Sequence, residues 1–107
     1  MNLTWTIFVD CNSEPSAAKV ATRLFQRAGI AVPMFSIESY HKGGFKVMAR
    51  TLSPSVSWSE FVVNSLSLAQ SVARQWILSG CITSELDAWS NSPAVPGVVA
   101  LHLTAQL

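Results

Sequence analysis

Residues 57–80, SWSEFVVNSLSLAQSVARQWILSG, form the longest segment of the chain with a helical period. Ser57 and Glu60 stand at capping-box spacing: the hydroxyl can accept the amide three residues on, and the carboxylate can reach back. Trp58, Phe61, Val62, Leu66, Ala69, Val72, Ala73, Trp76 and Ile77 recur at steps of three and four and make one broad apolar face. Asn64, Ser67, Ser71, Arg74 and Gln75 fall mostly off that face. Gly80 tolerates the left-handed conformation that closes a helix, so the spacing predicts a helix over 57–80, roughly 33 Å long. Glu60, Asn64, Gln70, Arg74 and Gln75 interrupt the apolar run and exclude a membrane span.

Upstream, Leu3 to Val9 alternates, with Leu3, Trp5, Ile7 and Val9 on one side and Thr4, Thr6 and Phe8 on the other, as in a half-buried strand. Ser13 or Glu14 can cap a following helix, with Pro15 in its first turn. That helix reads from Ser16 to Ala28, with Ala17, Val20, Ala21, Leu24, Phe25 and Ala28 as its apolar stripe and Gly29 as its stop. Lys19, Arg23 and Arg27 form a basic row on the outer side, read as a solvated face. Met34–His41 is a second strand with Phe35 and Ile37 inward. The Lys42-Gly43-Gly44 turn leads into a third strand, Phe45–Leu52, with Phe45, Val47 and Ala49 inward.

Downstream of Gly80, residues 82–89 are ambiguous: Leu86 and Trp89 call for burial, Glu85 and Asp87 do not. Ser90–Pro96 reads as a loop, and Gly97–Ala105 as a last strand. Its alternation sets Val99, Leu101 and Leu103 on one side and Val98, Ala100 and His102 on the other. Two helices with one apolar stripe each pack on one face of a single sheet. The expected fold is therefore α+β, one domain over residues 1–107. Its antiparallel or mixed sheet has the ferredoxin-like split β-α-β order, plus an extra C-terminal strand or extension. The other sheet face, left without helices, carries Thr6, Phe8, Glu38, Tyr40, Lys46, Met48, Arg50 and His102.

Composition narrows the function classes. Charged residues make up 12% of the 107 residues, against roughly 25% in an ordinary globular domain. A surface so poor in charge suits burial against a partner or a second copy. A net charge of +1 argues against nucleic acid. The third strand reads Lys42-Gly43-Gly44-Phe45-Lys46-Val47-Met48-Ala49, which lacks the aromatic residues an RNA-binding strand uses for stacking. The two cysteines, Cys11 and Cys81, have no metal-knuckle or framework spacing. With His41 and His102 they make neither a metal set nor a nucleophile–base signature, so no cofactor, metal or catalytic residue is assigned. Gly43-Gly44 lacks the spacing and following helix of a phosphate loop. The N-terminus has no basic segment followed by an apolar core, so a reduced cytoplasmic protein is expected. Glu85 and Asp87, two apart on an extended segment, form an acidic patch beside Trp89.

The Tyr40–Phe45 hairpin, the Trp58–Gly80 helix and the acidic Glu85–Trp89 edge together give a layout that resembles small immunity proteins of bacterial toxin–immunity systems. The resemblance implies a non-enzymatic domain that binds and neutralises a toxin domain. Contacts with the partner would come from Asp10, Glu38, Tyr40, Glu85, Asp87 and Trp89. The alternative is a homodimeric ferredoxin-like enzyme or ligand-binding domain, whose open sheet face holds a small molecule against Phe8, Tyr40, Met48, Arg50 and His102. An RNA-binding module is the third reading.

Overall fold

The computed structural model describes residues 1–107. The elements run β1 (Asn2–Val9), α1 (Glu14–Ala28), β2 (Phe35–Ser39), β3 (Phe45–Leu52), α2 (Trp58–Val72), β4 (Ala73–Arg74), β5 (Ile77–Ser79), β6 (Glu85–Ser90), β7 (Ser92–Pro93) and β8 (Val98–Gln106). The fold is α+β, with two helices and an antiparallel six-stranded sheet of order β2-β3-β1-β8-β6-β5, larger than the sequence suggested. A separate two-stranded ribbon joins β4 to β7. No helix is long and apolar enough to cross a membrane.

Alternation explains the core. Leu3, Trp5, Ile7 and Val9 of β1 are all buried, and on α1 so are Ala17, Val20, Ala21, Leu24 and Phe25. They join Val47 and Ala49 of β3, Phe61, Val62, Ala69 and Val72 of α2, and Leu101 and Leu103 of β8 in one cluster. The Ser13 hydroxyl accepts the Ser16 amide, and Gly29 closes α1 with φ 77°. The Ser57 hydroxyl accepts the Glu60 amide at the start of α2.

The long helix is shorter than its period suggests. It ends at Val72, and residues 73–80 become β4, a turn and β5. Groups from elsewhere in the chain take up the last carbonyls of α2, most of which a helix leaves without intrahelical partners. Trp76, assigned from its spacing to the helical face, folds back. Its indole Nε1 donates to the Ala69 and Ala73 carbonyls at 3.1 and 3.2 Å. Arg27 Nε of α1 donates to the Ser71 carbonyl at 3.0 Å, and the Ala94 amide to that of Val72 at 2.9 Å. Gln75, at φ 54°, turns the chain out of the helical path. Gly80 does adopt a left-handed conformation, φ 75°, but in the turn between β5 and β6 rather than at a helix end. The Trp58 Nε1 bond to the Ile82 carbonyl, 2.7 Å, ties that turn to the start of α2.

Two further corrections follow. The ambiguous segment 82–89 yields β6, which pairs with β8 and makes a hairpin with β5. Within the stretch read as a loop, Ser92 and Pro93 form β7. On β8 the pairing with β1 shifts register between Phe8 and Val9, so that Val9 faces Val98 while Phe8 faces Ala100. The extra residue is a bulge. It carries Val98 into the core and leaves Val99 exposed, the reverse of simple alternation.

Candidate functional site

The sheet face away from the helices carries an aromatic row that crosses four strands' width. Phe8 sits on central β1, opposite Lys46 on one side and Ala100 on the other. Tyr40, just beyond β2, packs edge-on to Phe8 with ring centroids 5.0 Å apart at 63°. Because Ala100 is small, nothing on β8 fills the space beside Phe8. Trp89 reaches across from β6 and meets Phe8 at 5.4 Å and 52°. Trp89 also packs on its cross-strand partner His102, at 5.4 Å, and His41 packs on Tyr40, at 4.7 Å. The indole Nε1 of Trp89 donates to Asn91 Oδ1 at 3.0 Å, which orients the ring. Ile77, directly opposite Trp89 on β5, extends the apolar strip to the sheet edge and is itself exposed.

Phe8, Tyr40 and Trp89 form the walls of a cleft of about 470 Å³, completed by Val9, Val99, Ala100 and Gly43. Asp10 and Lys42 stand at its rim, so one charge of each sign borders the opening. Most of its lining offers aromatic and apolar contact.

The structure brings together residues that the sequence divides between two readings. Trp89, assigned to a protein partner, joins Phe8 and His102, assigned to a ligand face, and Tyr40, which belongs to both readings. His102, which has no evident partner in the sequence, bonds Asp87 Oδ1 at 2.8 Å. Glu85 and Asp87 therefore do not form a free acidic patch. Asp87 holds His102, and Glu85 Oε1 accepts the Cys81 amide at 3.2 Å across the β5–β6 turn. Glu38 is paired with Lys46 at 2.9 Å, and Asp10 lies at the cleft rim. Met48 and Arg50 sit apart from the row, in a shallow depression with Thr4, Met34, Phe35 and Ser36. Lys42, Val99, Ala100 and Ile77 are part of the site but were not singled out. The bulge that exposes Val99 leaves no mark in the sequence, and Ile77 follows a helical period there.

The two cysteines are free. Cys81 is exposed in the β5–β6 turn, and its thiol is held below its ordinary pKa, chiefly by hydrogen bonding to the Thr83 hydroxyl and backbone and also to Ser84, against the opposing charge of Glu85. A lower pKa means more thiolate at any pH below the ordinary value. Iodoacetamide should therefore alkylate Cys81 before Cys11. The midpoint of its rate–pH profile should move up in Thr83→Val. Peptide mapping by mass spectrometry reads both, and equal rates at the two cysteines would contradict the assignment. No three His, Cys, Asp or Glu side chains gather closely enough to hold a metal ion.

No known protein family matches this chain, and neither a curated protein nor a solved structure does so.

Proposed function

We propose that this is a non-enzymatic recognition domain that binds another protein through the open face of its sheet, as an immunity-type inhibitor binds a toxin domain. The observation that carries this reading is the row Tyr40–Phe8–Trp89–His102, four half-buried rings in mutual contact across the sheet face that no helix covers. Aromatic residues at the centre of an interface supply most of its binding energy, and charged residues are depleted there. Around the row Glu38 is paired with Lys46 and Asp87 with His102, while Asp10 and Lys42 at the cleft have no ion-pair partner and can meet charges on a docked protein. We also read β1, α1, β2, β3, α2 and β8 as a ferredoxin-like split β-α-β unit. The local strand order β2-β3-β1-β8 supports this, with β5 and β6 as an added hairpin beyond β8.

Light scattering on a sizing column tests the proposal. The chain alone should be a monomer that shifts to a one-to-one complex with a candidate toxin domain. Trp89→Ala and Phe8→Ala should each weaken that complex by about 2 kcal/mol, roughly thirtyfold. Glu60→Ala, on the far helix, should leave the affinity unchanged.

The lateral charge pattern favours a second reading, self-association. Arg50, without an ion-pair partner, lies on β3, while Glu85 lies on β6 at the other side of the sheet. A two-fold related copy laid face to face, with its axis along the strands, would set each of these against the other. A stable dimer that Trp89→Ala dissociates, with no shift on adding a toxin domain, would establish this reading and overturn the first.

A further inference from the structure

The largest cleft lies on the opposite side of the molecule, between the end of α1, the strand end and loop 50–54, and α2. It measures about 660 Å³, within the roughly 300–1,000 Å³ of small-molecule sites. Its apolar wall comes from Leu3, Ile30, Pro33, Leu52 and Leu68, and its polar wall from Thr51, Asn64, Ser65, Ser67 and Ser71.

The polar wall is largely free to receive a ligand. Ser65 is only 2% exposed, yet its hydroxyl bonds no protein group, in contrast to Ser71, which donates to the Leu68 carbonyl. Since no deeply buried side-chain polar atom in the chain lacks a partner, the small exposed part of Ser65 includes its hydroxyl, and Ser65 lines the cleft. Thr51 Oγ1 accepts from the Trp5 indole at 2.8 Å, which leaves its own proton to donate. Asn64 donates through Nδ2 to Ser55 and keeps its carbonyl oxygen. No carboxylate lines the cleft. Arg50 is the one charged residue of the lining, and Arg27 adjoins it through its Nε bond to the Ser71 carbonyl; neither has an ion-pair partner, because the chain's only ion pairs are Lys46–Glu38 and His102–Asp87.

We propose that this cleft binds a small amphiphilic carboxylate. Its apolar body lies along Ile30, Leu52 and Leu68, and its carboxylate turns toward the hydroxyls and Arg27. The spare hydrogen-bonding capacity of Ser65 and Thr51 selects a hydrogen-bonding ligand over a plain hydrocarbon, and a guanidinium without an ion-pair partner beside an acid-free wall selects an anionic head over a cationic one. The site is independent of the open sheet face.

Titration of the intact chain with octanoate, octan-1-ol and octylammonium, followed by backbone-amide NMR, tests this. Octanoate should give saturable shifts centred on Ile30, Ser65 and Leu68, with octan-1-ol weaker and octylammonium weakest. Arg27→Gln should weaken octanoate about tenfold and bring it level with octan-1-ol. Ala31→Trp, an exposed wall position, should fill the cleft and remove all binding while the remaining spectrum shows the fold intact. The proposal is overturned if octylammonium binds as well as octanoate, if the shifts centre on Phe8 and Trp89, or if no saturable shift occurs.

Discussion

Trp5→Ala is expected to destabilise the domain by about 3–5 kcal/mol, the range for emptying a large aromatic site in a core. Domains of this size have about 5–15 kcal/mol in total, so the variant should lose a large share of its stability and unfold at a much lower urea concentration. Trp5 lies on central β1 and is fully buried. It packs edge-on to Phe25 of α1 with centroids 5.3 Å apart at 69°, so it joins sheet to helix layer. Its Nε1 also donates to Thr51 Oγ1 at 2.8 Å on the adjacent strand. Trp5→Phe separates the two contributions. It keeps most of the apolar contact and loses the hydrogen bond, whose acceptor borders the larger cleft and can be rehydrated. That change should cost only about 1–2 kcal/mol. Urea unfolding followed by far-UV circular dichroism measures both, and an alanine effect below that of phenylalanine would refute the account.

Gly44→Ala should cost about 3 kcal/mol or more, while Gly43→Ala in the same turn should cost about 1–2 kcal/mol. Both residues have positive φ, 99° at Gly43 and 73° at Gly44, so conformational preference alone predicts similar penalties. The surroundings separate them. A Cβ on Gly43 would meet nothing within 4 Å, whereas one on Gly44 would overlap the Val9 carbonyl oxygen and lie 3.2 Å from its carbon. That carbonyl belongs to the end of β1 and cannot move without disturbing the sheet. The Tyr40 amide donates to the Gly44 carbonyl at 3.1 Å, so displacing the turn also shifts Tyr40 away from Phe8. Gly44→Ala should therefore lower the thermal midpoint and flatten the near-UV dichroism of the aromatic row together. A Gly43→Ala effect as large as that of Gly44→Ala would show that the Val9 contact is not the cause.

The elements whose signals are local were legible in the residues. β1 and β3 alternate cleanly, and β3 spans Phe45–Leu52 as read. Helix α1 begins at a Ser13 cap and ends at Gly29 because those groups act within one turn of the helix. The candidate site was legible only in pieces: Phe8, Tyr40, Trp89 and His102 each stood out, without any sign that they touch. Sequence spacing alone cannot report that Ala100 leaves Phe8 open to a tryptophan from β6, nor that Asp87 bonds His102 across paired strands.

By itself, the sequence determined an α+β chain with two apolar-striped helices and alternating strands. Period, capping and composition all act over a few residues or over the whole chain. The tertiary structure alone decided where α2 stops, because Arg27, Ala94 and Trp76 compete for its last carbonyls and two of these come from far along the chain. The released residues then became the strands that widen the sheet. That wider sheet is what brings Trp89 beside Phe8 and gives the molecule its aromatic face.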